Sequence, residues 1–458
     1  MNSSSFCIKG HFVDTPTLGR IRLRTNHILV IEDGKIKNIV DSKSSDVSSF
    51  KNVIDYSTNP NTNEIQFIFP GFVDTHCHAS QYPNIGIFGN TTLLDWLNKY
   101  TFPLENELTS NLEKAKLVYK NAINKTLNNG TTTIAYYATI GKKSTELLAK
   151  LCLEMGQRAF VGKVCMDAPD YYSETHFECI QDNKDLIMSI RDMNRKYHKD
   201  KFVEPILTPR FAPVVSKETM RSLGNLSAVH DVPIQTHLSE SFNEIELVME
   251  TFPECDNYTD VYNRYGLLTD KTVLAHCIHL SEEEATMINE KQAGVSHCPV
   301  SNSSITSGEC RVRWLLEKGI KVSLGTDMSG GYSPSILKTA RQGLLVSRHV
   351  AMKTSDEVGD KDKLTTNEVL YLATKGGAEV LNIESKIGTF DIGKSFDAQL
   401  IHIGDNTNVD LFEWQVPLED IDNESVFMEK WQDVIDKWVF LGDDRETKHV
   451  WVDGLRVK

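Results

Sequence analysis

From Ile65 onward the chain repeats one grammar, strand then loop then helix. Apolar or β-branched runs stand at 67–74, 131–138, 159–166, 203–207, 233–236, 272–275, 294–296 and 321–325. Helical patterns lie between them, among them 145–151, 281–288 and 312–318, and Ser281 with Glu284 three residues later fits a capping box. Eight strands alternating with helices predict an α/β chain folded as a (β/α)8 TIM barrel, in which chemistry collects at the C-terminal strand ends. Periodicity alone also permits an open doubly wound sheet in the second half. No G-x-G-x-x-G follows a strand, so nothing favours a dinucleotide fold.

Both flanks read as β structure. Ile28 to Ile31 and Ile36 to Val40 surround Asp33-Gly34, a hairpin signal, and 42–49 is polar and predicts a surface loop. After about Lys386 the run 398–403 alternates, and Val450-Trp451-Val452 precedes a second turn at Asp453-Gly454. The two ends are expected to pair into a small β-sandwich domain made of 1–69 and 386–458, leaving 70–385 for the catalytic barrel. Residues 406–444, with Trp414, Trp431 and Trp438, form an excursion predicted to be partly helical over 423–438. Aromatic residues at that spacing predict core or interface rather than a ligand site.

A chain of 458 residues is too long for one simple core, which suits a large barrel plus a smaller domain. The net charge of −14 argues against nucleic-acid and anionic-membrane partners, both of which require clustered Lys and Arg. Nine cysteines, an odd number with no C-x-x-C pair, indicate a reducing compartment. With no basic-then-apolar leader and no run of 18 apolar residues, the expectation is a soluble, cytoplasmic protein.

Metal-ligand residue types fall at the predicted strand ends. The first strand delivers His76 and His78, which a period of two points to one side while Cys77 points to the other. The fifth delivers His237, the sixth His276 and the eighth Asp327. Four imidazoles and a carboxylate, without thiolate, suit Zn²⁺ or Fe²⁺ with a position left for water. Such an ion lowers the pKa of its water to about 7. Asp327 is placed to touch the metal and accept the water's proton, and Glu240, three residues past His237, is free to shuttle a proton to substrate.

The run Pro70-Gly71-Phe72-Val73-Asp74-Thr75-His76-Cys77-His78 resembles the amidohydrolase superfamily. So do His237-Leu238-Ser239-Glu240, Ala275-His276-Cys277, His297-Cys298-Pro299-Val300-Ser301-Asn302 and Gly325-Thr326-Asp327. Within it, His78-Ala79-Ser80-Gln81-Tyr82, Leu94-Asp95-Trp96-Leu97, Tyr100-Thr101-Phe102-Pro103, Thr208-Pro209-Arg210-Phe211 and Gly330-Gly331-Tyr332-Ser333 are similar to the guanine deaminase family. The likeness runs in order from about Pro70 to Arg348; Val300 departs from it, standing where the family pattern carries a polar residue.

The resemblance implies hydrolytic deamination of guanine to xanthine and ammonia. It implies one Zn²⁺ per chain, with Fe²⁺ also admissible, held by His76, His78, His237, His276 and Asp327. Asp327 is then the base for the attacking water and Glu240 the acid. Gln81, Arg210 and Phe211 match substrate-binding positions, with Trp96, His237 and Glu240 also expected against the base. It further implies a homodimer. Arg210 suits the C6 carbonyl oxygen, and Gln81 offers both donor and acceptor.

Related readings are a mononuclear aminohydrolase of another purine, a pterin or a triazine, and a non-catalytic scaffold of the same fold. Binuclear superfamily members need a carboxylated lysine on the fourth strand, and 203–210 contains none. A scaffold would be expected to lack ligands, and none is missing. A nucleic-acid base deaminase of the H-x-E and P-C-x-x-C type is excluded by the absence of P-C-x-x-C and by the acidic chain. His279 and His297 lie near strand ends but are left outside the ligand set.

Overall fold

A computed structural model describes residues 5–43, 50–57, 62–90, 93–168, 173–354, 359–417 and 423–458. Most of the predicted loop 42–49 lies outside them. The N-terminal segment forms β1 (Ser5–Thr17), β2 (Arg20–Glu32), β3 (Lys35–Asp41), β4 (Val53–Asp55) and β5 (Ile65–Pro70). Glu32 pairs with Lys35 across Asp33 (φ 51°) and Gly34 (φ 77°), so both central residues take the left-handed conformation that a tight two-residue hairpin requires.

The alternating region contributes β6 (Phe72–His78), β7 (Thr131–Tyr137), β8 (Arg158–Gly162), β9 (Val164–Cys165), β10 (Val203–Pro205), β11 (Thr208–Pro209), β12 (Ile234–Leu238), β13 (Thr272–His276), β14 (Gly294–His297) and β15 (Lys321–Leu324). The C-terminal segment adds β16 (Ala398–Ile403), β17 (Thr447–Val452) and β18 (Leu455–Arg456). The result is a mixed α/β fold.

The two chain ends share one sheet, in the order β18-β17-β16-β5-β1-β2-β3 with β4 on β1. In it β5 runs antiparallel to β16, Ala398 opposite Pro70 and Ile403 opposite Ile65. The predicted strand 67–74 is therefore two strands: its first half belongs to the terminal sheet, and its second begins the alternating region. The break has a steric cause. A Cβ on Gly71 would stand 2.1 Å from Thr132 Oγ1, and Pro70 has no N–H to continue a ladder.

In the alternating region the strands are parallel, in the orders β10-β8-β7-β6, β11-β9 and β12-β13-β14-β15. β6, β7, β8, β13 and β14 are buried along their whole length, as parallel strands covered by helices must be. Two sets of hydrogen bonds join these groups. Leu207 N–H donates to Pro233 O at 2.9 Å and Gln235 N–H to Leu207 O at 2.9 Å, while Asp327 N–H donates to His76 O at 2.8 Å. Thr326 Oγ1 also donates to Asp74 Oδ2 at 2.5 Å, which brings the end of the last strand against the end of the first.

The helix Glu282–Glu290 carries the predicted Ser281–Glu284 capping box. The excursion is helical over Glu424–Leu441, capped by Asn423, and Trp431 and Trp438 on its inner face are buried. Trp438 packs on Phe67, Phe69 and Phe72 with ring centroids 5.4, 5.2 and 6.0 Å away, clamping the junction at Gly71. Trp414 instead is 70% exposed and stacks on Phe412. Among the described residues no helix is long and apolar enough to cross a membrane.

Candidate active site

Four strand ends converge on one point. His76 and His78 close β6, His237 lies in β12, His276 ends β13 and Asp327 follows β15. Asp327 Oδ1 stands 3.2 Å from His76 Nε2 and 3.3 Å from His78 Nε2, and its Oδ2 is 3.8 Å from His276 Nε2. Ligand atoms of His76, His237 and His276 also lie within 4.8 Å of one another. Ser239 (φ 51°), His276 (φ 70°), Cys277 (φ 51°) and Asp327 (φ 46°) all hold left-handed backbone, a cluster of non-glycine strain where strands turn into loops. Cys77 points the other way, into the packed core.

The chemistry of this donor set fits a divalent cation. His76 Nε2 and His276 Nε2 are buried with no hydrogen-bond partner, an arrangement that is costly unless something accepts their lone pairs. His237 Nδ1 donates to Arg210 O at 2.7 Å and His276 Nδ1 to Asn302 Oδ1 at 2.8 Å, so the Nε2 atom of each ring is the one left to ligate. Burial pushes the His76 imidazole down to about 4 and, with its neighbouring histidines, holds His237 well below its ordinary value. Burial would lower His276 as well, but the Glu240 and Asp327 carboxylates outweigh it and raise that imidazole; a metal needs all of these rings neutral. Burial alone would raise Asp327, but the His76 and His78 imidazoles beside it outweigh that and hold it well below its ordinary value. A separate group, Cys165, Glu174 and Cys179, has its carboxylate already paired with the buried Lys163.

Above this floor opens a cavity. Leu93, Trp96, Leu97, Phe211 and Ile305 supply apolar walls, Gln81 and Arg210 stand on one side, and Glu240, Asp327 and the histidines form the base. Every predicted site residue except His76 lines it; His76 lies beneath, facing Asp327. Trp96 is held by its indole N–H donating to Ile87 O at 3.1 Å. Glu240 is buried, accepts from Ser307 Oγ at 2.9 Å, and has Oε2 3.5 Å from His276 Nε2. Burial, with Asp327 nearby, raises its pKa, which favours a carboxyl able to hold and give a proton. His279 is turned to Ser307 O at 2.9 Å and against Phe242, and His297 is buried without hydrogen-bond partners; neither belongs to the ligand cluster.

Two buried carboxylates at the site were not among the predicted residues. Glu105 accepts from Arg210 Nη1 at 2.6 Å, Arg210 Nη2 at 3.3 Å and Gln81 Nε2 at 3.0 Å. Glu244 accepts from the Glu240 N–H at 2.9 Å and from Tyr258 Oη at 2.9 Å, and burial, with Glu240 nearby, raises it to about 7. The available signal was a charged residue on an apolar helical stripe: Phe102, Glu105 and Leu108 are the buried positions of one helix, Glu244 and Val248 of another.

The amidohydrolase family profile matches residues 67–457. The chain belongs to the amidohydrolase family. Among its relatives in that family, a probable guanine deaminase of Schizosaccharomyces pombe is 42% identical, the match covering 98% of this chain and 82% of that one. A guanine deaminase of Dictyostelium discoideum is 39% identical, covering 98% and 97%. The solved structure of guanine deaminase from C. acetobutylicum with bound guanine in the active site superposes with a TM-score of 0.86 at 34% identity, covering 99% and 100%. Amidohydrolases are metal-dependent, in keeping with the cluster described above.

Proposed function

We propose that this protein is a guanine deaminase, hydrolysing guanine to xanthine and ammonia. The observation that carries the reading is the pairing, within one cavity, of an imidazole–carboxylate floor with a wall holding Arg210, Gln81 and Phe211. Near full-length similarity to guanine deaminases supports it.

In this reading His76, His78, His237, His276 and Asp327 hold one Zn²⁺, with Fe²⁺ accepted by the same donors. Such an ion supplies Lewis acidity, making a water molecule able to lose a proton near neutral pH. Phe211 and Trp96 sandwich the planar purine, and Arg210 and Gln81 fix its carbonyl edge so that C2 faces the base of the cavity. Asp327 takes the proton of the attacking water. Glu240 gives a proton to the ring nitrogen next to C2, which makes that carbon electrophilic, and then assists departure of the 2-amino group as ammonia. The cavity walls exclude bulk water from the reacting edge.

The same proposal takes the parallel strands, joined through Leu207 to Gln235 and through Asp327 to His76, as the staves of a (β/α)8 barrel over 70–385. The terminal sheet of 1–69 and 386–458 is then the small β-sandwich domain. The assay is a spectrophotometric panel of purified protein against guanine, adenine and cytosine. Guanine is expected to be converted to xanthine with adenine and cytosine turned over poorly, and activity confined to a different ring would overturn the assignment.

A further inference from the structure

We infer that Glu105 is a positioning residue for substrate selection: it orients Arg210 and Gln81 together so that both present only N–H groups to the cavity, which selects a carbonyl and rejects an amino group at purine C6. The inference rests on the proposed guanine reading and on Arg210 and Gln81 as the residues that meet the carbonyl edge.

Glu105 sits on the helix Phe102–Ser110 and is fully buried. Its two oxygens take both terminal nitrogens of Arg210, at 2.6 and 3.3 Å, a two-pronged geometry that fixes the guanidinium plane. The same helix places the Phe102 ring 5.0 Å beneath that guanidinium. Arg210, itself buried, is thereby held by an anion and an aromatic face from one element. A guanidinium has five N–H donors and no acceptor, so whatever is not spent on Glu105 remains donor only.

The carboxylate also decides which way the Gln81 amide points. A carboxylate only accepts, so the group 3.0 Å from Glu105 Oε1 has to be the Gln81 NH₂. The amide oxygen is then turned to Ser329, whose Oγ and N–H lie at 3.4 and 3.5 Å. One N–H of Gln81 is left over, and the acceptor that would have welcomed an amino group is occupied elsewhere. Ser80 Oγ, 3.4 Å from the same Oε1, completes the shell. An amino group at the C6 position would meet N–H with N–H, leaving buried donors unpaired, the kind of mismatch that discriminates most strongly.

The test compares guanine with 2,6-diaminopurine, which bears an amino group at C6 and with it an unprotonated N1 in place of N1–H, in wild-type protein, E105Q, R210M and the double variant. Gln keeps the volume of Glu105 but supplies NH₂ as well as C=O, so the Gln81 amide is free to turn over. E105Q is expected to lower kcat/KM for guanine by roughly 10- to 100-fold, mostly through KM, with metal content unchanged, and to narrow the guanine preference over 2,6-diaminopurine by about tenfold or more. In the R210M background the part of that loss carried by Arg210 should vanish, leaving only the smaller part carried by the Gln81 amide. An equal loss in both backgrounds, or an unchanged preference in E105Q, overturns the inference. Should E105Q alone fail to fold because it leaves Arg210 buried and unpaired, the double variant removes both charges. Its guanine preference must then fall below that of R210M, because the Gln81 amide can still turn over, and a preference equal to that of R210M overturns the inference. Absence of guanine turnover in wild-type protein would instead refute the functional reading itself.

Discussion

Replacing Glu240 by Gln separates proton transfer from everything else this residue does. The amide has the same volume, and its oxygen can still accept from Ser307 Oγ, 2.9 Å from Oε1 in the native site. The backbone N–H of residue 240 continues to donate to Glu244. The substitution leaves the side chains of His76, His78, His237, His276 and Asp327 unchanged. What disappears is a carboxyl whose pKa burial has raised, and with it the proton delivered to the ring nitrogen. A positioned general acid contributes roughly 10²- to 10⁴-fold. At about 1.4 kcal/mol per decade, that is about 3–5 kcal/mol of barrier. E240Q should therefore lower kcat for guanine by about 10²- to 10⁴-fold while metal content and the unfolding midpoint stay close to wild type. The assay is guanine turnover by absorbance, with metal analysis and thermal unfolding on the same preparation. A kcat within about threefold of wild type would refute the proton-shuttle argument, since a positioned general acid typically contributes about 10²-fold or more. Loss of metal together with activity would instead make residue 240 part of the ligand set.

Asn302→Ala removes the acceptor that fixes the His276 ring at 2.8 Å; metal affinity measured against a chelator should fall by about 10- to 100-fold, with binding otherwise one ion per chain. Trp438→Ala empties the contact with Phe67, Phe69 and Phe72 at the junction between the two parts of the fold, and should cost about 3–5 kcal/mol in denaturant unfolding.

The clustering of His76, His78, His237, His276 and Asp327 was legible in the sequence because strand ends are local: a period of two and a break in apolar character place them without tertiary information. The hairpin at Asp33-Gly34 and the Ser281 cap were readable for the same reason, each resting on contacts within a few residues. What was missed depends on distant neighbours. Nothing near Glu105 in the chain reveals that its partner is Arg210, with which it forms a buried ion pair. The strand 67–74 was drawn as one piece across its Pro70-Gly71 break, whereas the structure divides it there, where Thr132 leaves no room for a Cβ on residue 71. Of the three tryptophans in 406–444, two are core, one of the outcomes their helical spacing suggested, and Trp414 faces solvent because the short turn Glu413–Gln415 that carries it has no buried face.

The most direct measurement of the central claim is deamination of guanine in water enriched in oxygen-18, followed by mass spectrometry of the purine and assay of ammonia. Hydrolysis at C2 predicts xanthine carrying one labelled oxygen at C2 and one ammonia released per guanine consumed. Unlabelled xanthine, label at another ring position, or no ammonia would contradict it.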